Sequence, residues 1–444
     1  MLNNLYDKTK ECLSLSLIII FDAILRFSII TKNSLWVDEI ATIYYSTGDL
    51  YDIVFGYMMN GEFNPPLFYT FEYIITSLFG ISELTLRFLP AIFGILTIPV
   101  IYYISKKLIC NNYLSYLNAF LVSILPLCIY YSVEARCYSL ALLLFSIGFC
   151  YYLYGRYTSA AIFFLLLTWT HFYGVLFILP ILLHYIACNG IKNTYKNILL
   201  YIIGISPLAL PLYHLLTLKG DSDVGWGLNY LDILPQFFTE IGGMNIMSGL
   251  ILFCLFFAGF LYYKNIGMKF IILLPLIIAP FTTLFINIST RYLIYLVPFY
   301  IIMLTYPMTQ INIKSKINIK TLYTIFVIFM LLPGVFSVCQ ETKIDYRGAA
   351  EFVYENAPHN SQIIIMPSSR EDCFTYYYKG ENAILSLEPY DLGGLQERVK
   401  SDDIIIKTGV KEYETGNDII SIYLNENCDK IKEFNLISVY KFVV

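Results

Sequence analysis

Charge is scarce in this sequence. Of its 444 residues, 14% are Asp, Glu, Lys or Arg and 57% are hydrophobic, with only four histidines. Soluble globular domains carry about 25% charged residues, so that class is excluded, as the mean hydropathy of +0.63 agrees. No stretch has the clustered basic stripe of a nucleic-acid binder, so no nucleic-acid partner is expected. The ten cysteines include no C-x-x-C pair and no His/Cys cluster, which argues against a structural zinc site. Cys339, Cys373 and Cys428 leave room for one disulfide near the end of the chain, though nothing demands it. The amino terminus lacks a short apolar core followed by a small-residue cleavage site, so the first apolar run is expected to be retained. There is no internal repeat and no low-complexity segment.

What the chain has instead is a series of apolar runs. About eleven approach the length needed to cross a bilayer: 12–31, 86–105, 113–132, 137–155, 158–170, 173–189, 198–218, 244–263, 270–288, 292–310 and 322–338. The run at 158–170 is short for a full crossing. Lysine and arginine collect on one set of connections, at Lys8, Lys10, Lys106, Lys107, Arg156, Lys192, Lys196, Lys264, Lys269, Lys314, Lys316 and Lys320. The other set holds only the isolated Lys32, Arg87, Arg136, Lys219 and Arg291. Basic loops stay cytoplasmic, which predicts a multi-pass plasma-membrane protein with a cytoplasmic N-terminus and an extracytoplasmic tail. The first outer connection contains NPPLFYTFEYIITSLFG, from Asn64 to Gly80. Its Pro pair suits a helix start, and Glu62 and Glu72 flank or interrupt it, so it reads as an interfacial helix. A second outer loop, 219–243, holds Asp221, Asp223 and Trp226.

Charge balance changes near residue 339. From there on the chain has 18 acids and 11 bases, and the remainder has 15 acids and 18 bases. This predicts a membrane domain over 1–338 and a separate aqueous domain over 339–444. In the latter, DYRGAAEFVYENAP has helical spacing, while SQIIIMP, DDIIIK, DIISIYL and LISVYKFVV read as buried strands. The fold class expected is therefore a mainly α polytopic membrane protein with a small α/β C-terminal extracytoplasmic domain.

The stretch that promises chemistry is LWVDEIATIYY, residues 35–45, just outside the first span. Asp38 and Glu39 are adjacent carboxylates flanked by Trp36, Tyr44 and Tyr45. Carboxylates at an apolar boundary are desolvated and become better proton acceptors. Neighbours on a helix do not share a face, so one can serve the reaction while the other anchors backbone or substrate. The plainer reading is a pair of helix-capping acids. The topology brings other ionisable residues to the same outer depth: Glu134 and Arg136 in YYSVEARCYSL, His171 in THFYG, and Arg291 in STRYLIYLVP. Taken singly, these also fit a polar turn, an interfacial histidine and a snorkelling arginine. Asp22 and Arg26, four apart within the first span, read as a structural ion pair.

Taken jointly, acids and cations at one outer depth suit transfer of a group from a lipid phosphate to a hydroxyl or amine. A carboxylate supplies the general base. The phosphate leaving group needs positive charge more than a proton, and arginine offers it. A glycoside hydrolase would instead need an acid for the sugar oxygen.

LWVDE, PPLFY, LRFLPAIFG, YSVEARCYSL, THFYG and RYLIYLVP, in this order over about residues 1–310, resemble motifs of the polytopic C-superfamily glycosyltransferases. The nearest group is that of the protein O-mannosyltransferases and lipid A aminoarabinose transferases. DYRGAAEFV also resembles the outer domain of some relatives. The resemblance implies an inverting enzyme that moves one sugar from a polyprenyl-phosphate donor to a glycan, protein or lipid acceptor at the outer face. It makes Asp38 the base, with Glu39 beside it. It places Glu134, Arg136, His171, Asn64 and Tyr44 along the substrate cavity and Arg291 at the carrier phosphate. Many relatives have His before the Pro pair where this chain has Asn64. An amide neither titrates nor readily replaces a metal-binding imidazole, so no metal or other cofactor is expected, although a divalent metal is compatible with the family. Two other classes fit the composition: a secondary transporter or flippase, and a non-catalytic glycan-binding membrane protein. Transporters usually show repeated halves with midplane sites, and no repeat is found here.

Overall fold

The computed structural model describes residues 2–59, 62–218, 228–243, 245–286, 288–310, 319–340, 343–409 and 419–443. Lys219, Asp221, Asp223, Trp226, Lys314 and Lys316 lie outside them, as does Asn287. The chain divides into two compact units. One comprises 1–30 and 45–339, the other 31–44 and 340–444. Besides residues 340–444, the second unit takes in the segment that carries Asp38 and Glu39.

The membrane body is helical. Six helices among the described residues are long and apolar enough to cross a bilayer, and up to eight if each of two bent pairs is one span. Three further expected runs, at 137–155, 158–170 and 270–288, correspond to the shorter apolar helices Tyr138–Leu153, Tyr157–Thr168 and Ile266–Thr282. A multi-pass membrane protein follows from these helices. The helix Glu83–Ile109 packs against Asn112–Ser123 and Tyr138–Leu153, and the last of these also against Tyr157–Thr168. Tyr138–Leu153 is apolar on every side and buried over most of its length, as a helix without a polar stripe must be. Outermost on the first helix, Leu2–Ile29, are Leu13, Leu17, Ile20 and Ile24, which suit lipid.

Several polar groups inside the body are answered by other side chains, since hydrocarbon supplies no water. Asp22 and Arg26 pair within the first helix, both fully buried, and Arg26 Nε also donates to Ser132 Oγ at 2.7 Å. Gly94 makes room for this: a Cβ there would lie 2.6 Å from Ser132 Cβ and 2.9 Å from Arg26 Nε. Asn118 donates to Ser105 at 3.0 Å and accepts from Thr305 at 2.8 Å.

The tail unit contains a five-stranded sheet of order β2-β1-β3-β5-β4. The strands are β1 Ile363–Met366, β2 Ile384–Ser386, β3 Ile404–Thr408, β4 Cys428–Phe434 and β5 Ile437–Phe442. β1 runs parallel to both β2 and β3, with Ile363 opposite Ile384 and Ile404. β5 is antiparallel to β3 and β4. The isoleucine runs of β1 and β3 lack polar alternation because both sheet faces are covered. Ile363, Ile365, Ile404 and Ile406 pack with Ala349, Val353 and Phe374 on one face. Ile364 and Ile405 pack with Leu395, Ile420 and Leu424 on the other. The edge strand β4 is mostly exposed and carries Lys430 and Lys432, a charge pattern that discourages edge pairing.

One expectation is corrected. DIISIYL does not form a strand: its described residues begin the helix Ile419–Asn427. Its β-branched run is local, whereas burial falls on Ile420 and Leu424, four residues apart, with Ile419 and Ile422 exposed. That spacing is helical. The strands β2 and β4 were unforeseen.

Candidate functional site

In the body, the segment before the Pro pair is tied down by a carboxylate. Glu62 Oε1 accepts from Asn64 N at 2.9 Å, from Asn64 Nδ2 at 2.7 Å and from the Tyr69 hydroxyl at 2.8 Å. Leu67 N donates to Trp169 O at 3.0 Å, joining this segment to the turn that carries His171. The helix Leu67–Phe79 then starts behind Pro66. Arg136 Nη1 lies 3.5 Å from the Tyr69 hydroxyl, and Cys137 Sγ donates to Asn64 Oδ1 at 3.8 Å. Asn64 therefore serves a hydrogen-bond network, through both its amide nitrogen and its oxygen.

Glu134 and Arg136 occupy the bend between Pro126–Ser132 and Tyr138–Leu153, Glu134 fully buried and Arg136 nearly so. Arg291 opens the turn Thr290–Leu296, its guanidinium 5.5 Å from the centre of the Tyr138 ring, within cation–π range. His171 lies between Tyr157–Thr168 and the span that begins at Phe172. Its Nδ1 is 2.8 Å from the Tyr295 hydroxyl, and its ring meets those of Tyr138 at 5.7 Å and Tyr292 at 4.9 Å. Burial, then the positive charges of Arg136 and Arg291, push the imidazole down to about 3. At neutral pH it is an uncharged hydrogen-bonding group among aromatic rings, in electrostatic reach of Arg136 and Arg291. The structure therefore gathers Asn64, Glu134, Arg136, His171 and Arg291 in the body. Glu134 enters this group through Tyr131, which lies in electrostatic reach of Glu134, Glu240 and Arg291.

Asp38, Glu39 and Tyr44 belong to the tail unit. Asp38 and Glu39 lie in the first turn of the helix Val37–Tyr45. Asp38 is half-buried and Tyr44 exposed, whereas Glu39 is fully buried. Glu39 Oε2 pairs with Lys343 Nζ at 3.3 Å, and Lys343 sits 5.1 Å from the Trp36 ring centre. Around this pair runs a clasp to the tail. Leu35 N donates to the Tyr377 hydroxyl at 2.8 Å, Ser34 Oγ to Asp345 at 3.2 Å, and Arg347 Nη2 to Thr31 O at 3.0 Å. Val37 and Ile40 pack on the sheet's core. Adjacent carboxylates thus have different surroundings, one engaged by the tail's lysine and one less buried.

Three residues escaped the sequence reading. Glu62 had been taken only as a flank of the interfacial helix, yet it organises the Asn64 segment. Tyr69 lay inside an apolar run and Glu240 in an outer loop without a motif. The last two carried no signal that hydropathy or spacing detects. Among the described residues no three His, Cys, Asp or Glu side chains are grouped to hold a metal ion.

The fold of this body and tail is shared with two solved proteins. ArnT from Cupriavidus metallidurans, solved in the apo state and bound to undecaprenyl phosphate, superposes with a TM-score of 0.59 at 8% identity, covering 96% of this chain and 97% of ArnT. The oligosaccharyltransferase of Archaeoglobus fulgidus, solved with zinc and sulfate, gives 0.54 at 14% identity, over 91% of this chain and 68% of that one. Its form tethered to an acceptor peptide gives 0.53 at 12% identity. No family model and no curated protein matches the sequence. The expected likeness is therefore met in the fold.

Proposed function

We propose that this protein is a membrane glycosyltransferase that moves one sugar, with inversion, from a polyprenyl-phosphate donor to a glycan, protein or lipid acceptor at the outer membrane face. The observation that carries the reading is the pair of cations, Arg136 and Arg291, beside an uncharged His171. Such a pair fits the charge that grows on a departing phosphate, and neutral histidine hydrogen-bonds without adding a third charge. The fold shared with ArnT, which has been solved with undecaprenyl phosphate, agrees with a carrier of that class.

Asp38 takes the proton of the acceptor hydroxyl or amine as its oxygen or nitrogen attacks the anomeric carbon. The bond from that carbon to the phosphate oxygen breaks, and its electron pair leaves with the polyprenyl phosphate. Glu39, through Lys343, holds the helix that carries the base. Glu134 and Asn64 of the body, and Tyr44 of the helix that carries the base, are assigned to substrate binding. The N-terminus is cytoplasmic and the tail extracytoplasmic in this reading, and no step passes through a metal.

In reconstituted membranes with a labelled polyprenyl-phosphate sugar, Asp38→Asn should lower transfer by roughly 100-fold or more while the protein stays folded. Transfer near the wild-type rate removes Asp38 as base. Arg291→Ala should raise the donor KM, and an unchanged donor KM removes its phosphate role.

A further inference from the structure

The membrane body contains a cavity of about 180 Å³ that the reaction as described does not use. Its walls include Glu240, Ser289, Thr290, Tyr130 and Tyr131, with apolar Pro126, Leu127 and Val338. Glu240 stands in the last turn of the helix Ile233–Ile241. That helix end is held by a backbone contact. Gly243 has φ of +93°, a region L side chains rarely adopt, and a Cβ there would lie 2.7 Å from Gly334 Cα.

Both carboxylate oxygens already accept a hydrogen bond: Oε1 from Gln236 Nε2 at 3.0 Å, and Oε2 from Thr290 Oγ1. These bonds orient the group. A carboxylate offers about four acceptor positions, so capacity remains for a ligand. The described lining has no lysine or arginine, which disfavours a phosphate. It has one carboxylate, whereas hard cations collect six or more oxygens. Hydroxyls that can both donate and accept, a carboxylate, and two tyrosine rings are what a polyhydroxyl ring requires. The volume admits several waters and hence a single ring. Thr290 directly precedes Arg291, so a phosphate at Arg291 and a ring at Thr290 would occupy neighbouring positions.

We infer that this cavity binds one uncharged sugar ring, with Glu240 accepting hydrogen bonds from its hydroxyls and Ser289 accepting or donating them. The inference deepens the proposed function and rests on it for the identity of the ring, which comes from either the donor or the acceptor.

Full-length protein in lipid nanodiscs distinguishes the sources. The probes are undecaprenyl phosphate without sugar, undecaprenyl-phosphate mannose and glucose, and the free methyl mannoside and glucoside. Glu240→Gln and, separately, Ser289→Ala should weaken a sugar-bearing carrier roughly ten- to hundredfold and leave the bare carrier within about twofold. That result assigns the donor's ring. Methyl glycosides that bind wild type and are lost in both variants, with carriers indifferent to their sugar, assign the acceptor's ring. Equal weakening of bare and sugar-bearing carriers, no change for any probe, or a wild type indifferent to every sugar overturns the inference. If Glu240→Gln fails to fold, Ser289→Ala decides alone. Bare-carrier binding that persists in Arg291→Ala counts against the phosphate reading and leaves the sugar cavity standing.

Discussion

The two units handle buried charge differently. Around the candidate site of the body, Glu62 is answered by an amide and a tyrosine hydroxyl, Arg291 by an aromatic face, and His171 by giving up its charge, while Asp22 and Arg26 of the first helix pair directly. In the tail unit, Glu39 meets a full opposite charge from Lys343. Side chains in an apolar interior cannot shed charge into water, so dipoles and rings spread the cost over several partners. A small domain with solvent nearby can hold a single close ion pair. Polar groups around the candidate site therefore form a shared network in which one loss reaches several neighbours. Those in the tail unit form discrete links whose loss is local.

The largest effect expected from breaking this contrast is at Lys343. Lys343→Met leaves Glu39 buried without its ammonium partner, at a cost of about 3–5 kcal/mol. Hydrogen exchange should show 31–44 and the helix Tyr346–Asn356 loosening while the body's helices keep their protection. Adding Glu39→Gln should recover much of the loss. Equal loosening of both units would end the distinction.

Next comes Ile420, buried on the helix that replaced the expected strand. Ile420→Ala should cost about 2–4 kcal/mol, whereas exposed Ile422→Ser should stay within about 0.5 kcal/mol. A strand at these positions would not separate them in this way, and thermal melts of the two variants check it.

Glu62→Ala tests the shared network. It strands the buried Tyr69 hydroxyl and the Asn64 amide, for about 1–3 kcal/mol. Transfer should fall with stability, because Tyr69 is also the contact of Arg136. Normal transfer in a destabilised variant would separate the network from the site.

A further effect is graded with pH. The folded His171 is held at about 3, below the ordinary value of 6.5. Between these values the unfolded chain binds a proton that the folded chain does not. Its contribution is present above pH 6.5 and is lost as pH falls towards 3, by at most about 1.4 kcal/mol per pH unit. Melting temperature against pH should be flatter over this window in His171→Asn than in wild type. In the tail unit, burial pushes the Cys373 thiol up to about 12, so it should resist maleimide until the sheet opens.

Much of the fold was legible because its signals are local. Apolar run length marks a span whatever surrounds it, and IIIM and III announce strands covered on both faces. The site was legible in part for the same reason: charges are so rare in this composition that Glu134, Arg136, His171 and Arg291 stand out. Segment 31–44 was harder. Its partners are about 300 positions away, as with Ser34 and Asp345, which are 311 apart. DIISIYL misled because β-branched content is a weak preference that packing overrides.

Sequence alone determined that the chain enters a membrane many times, that IIIM and III form buried strands, and which rare polar residues must find partners, since hydropathy and charge scarcity are properties of short segments. Only the tertiary structure decided that Glu39 pairs with a lysine of the tail unit, that His171 is neutral in electrostatic reach of two arginines, and that Glu240 borders a cavity. Those outcomes depend on which distant side chains share a volume, and that is set by packing over the whole chain.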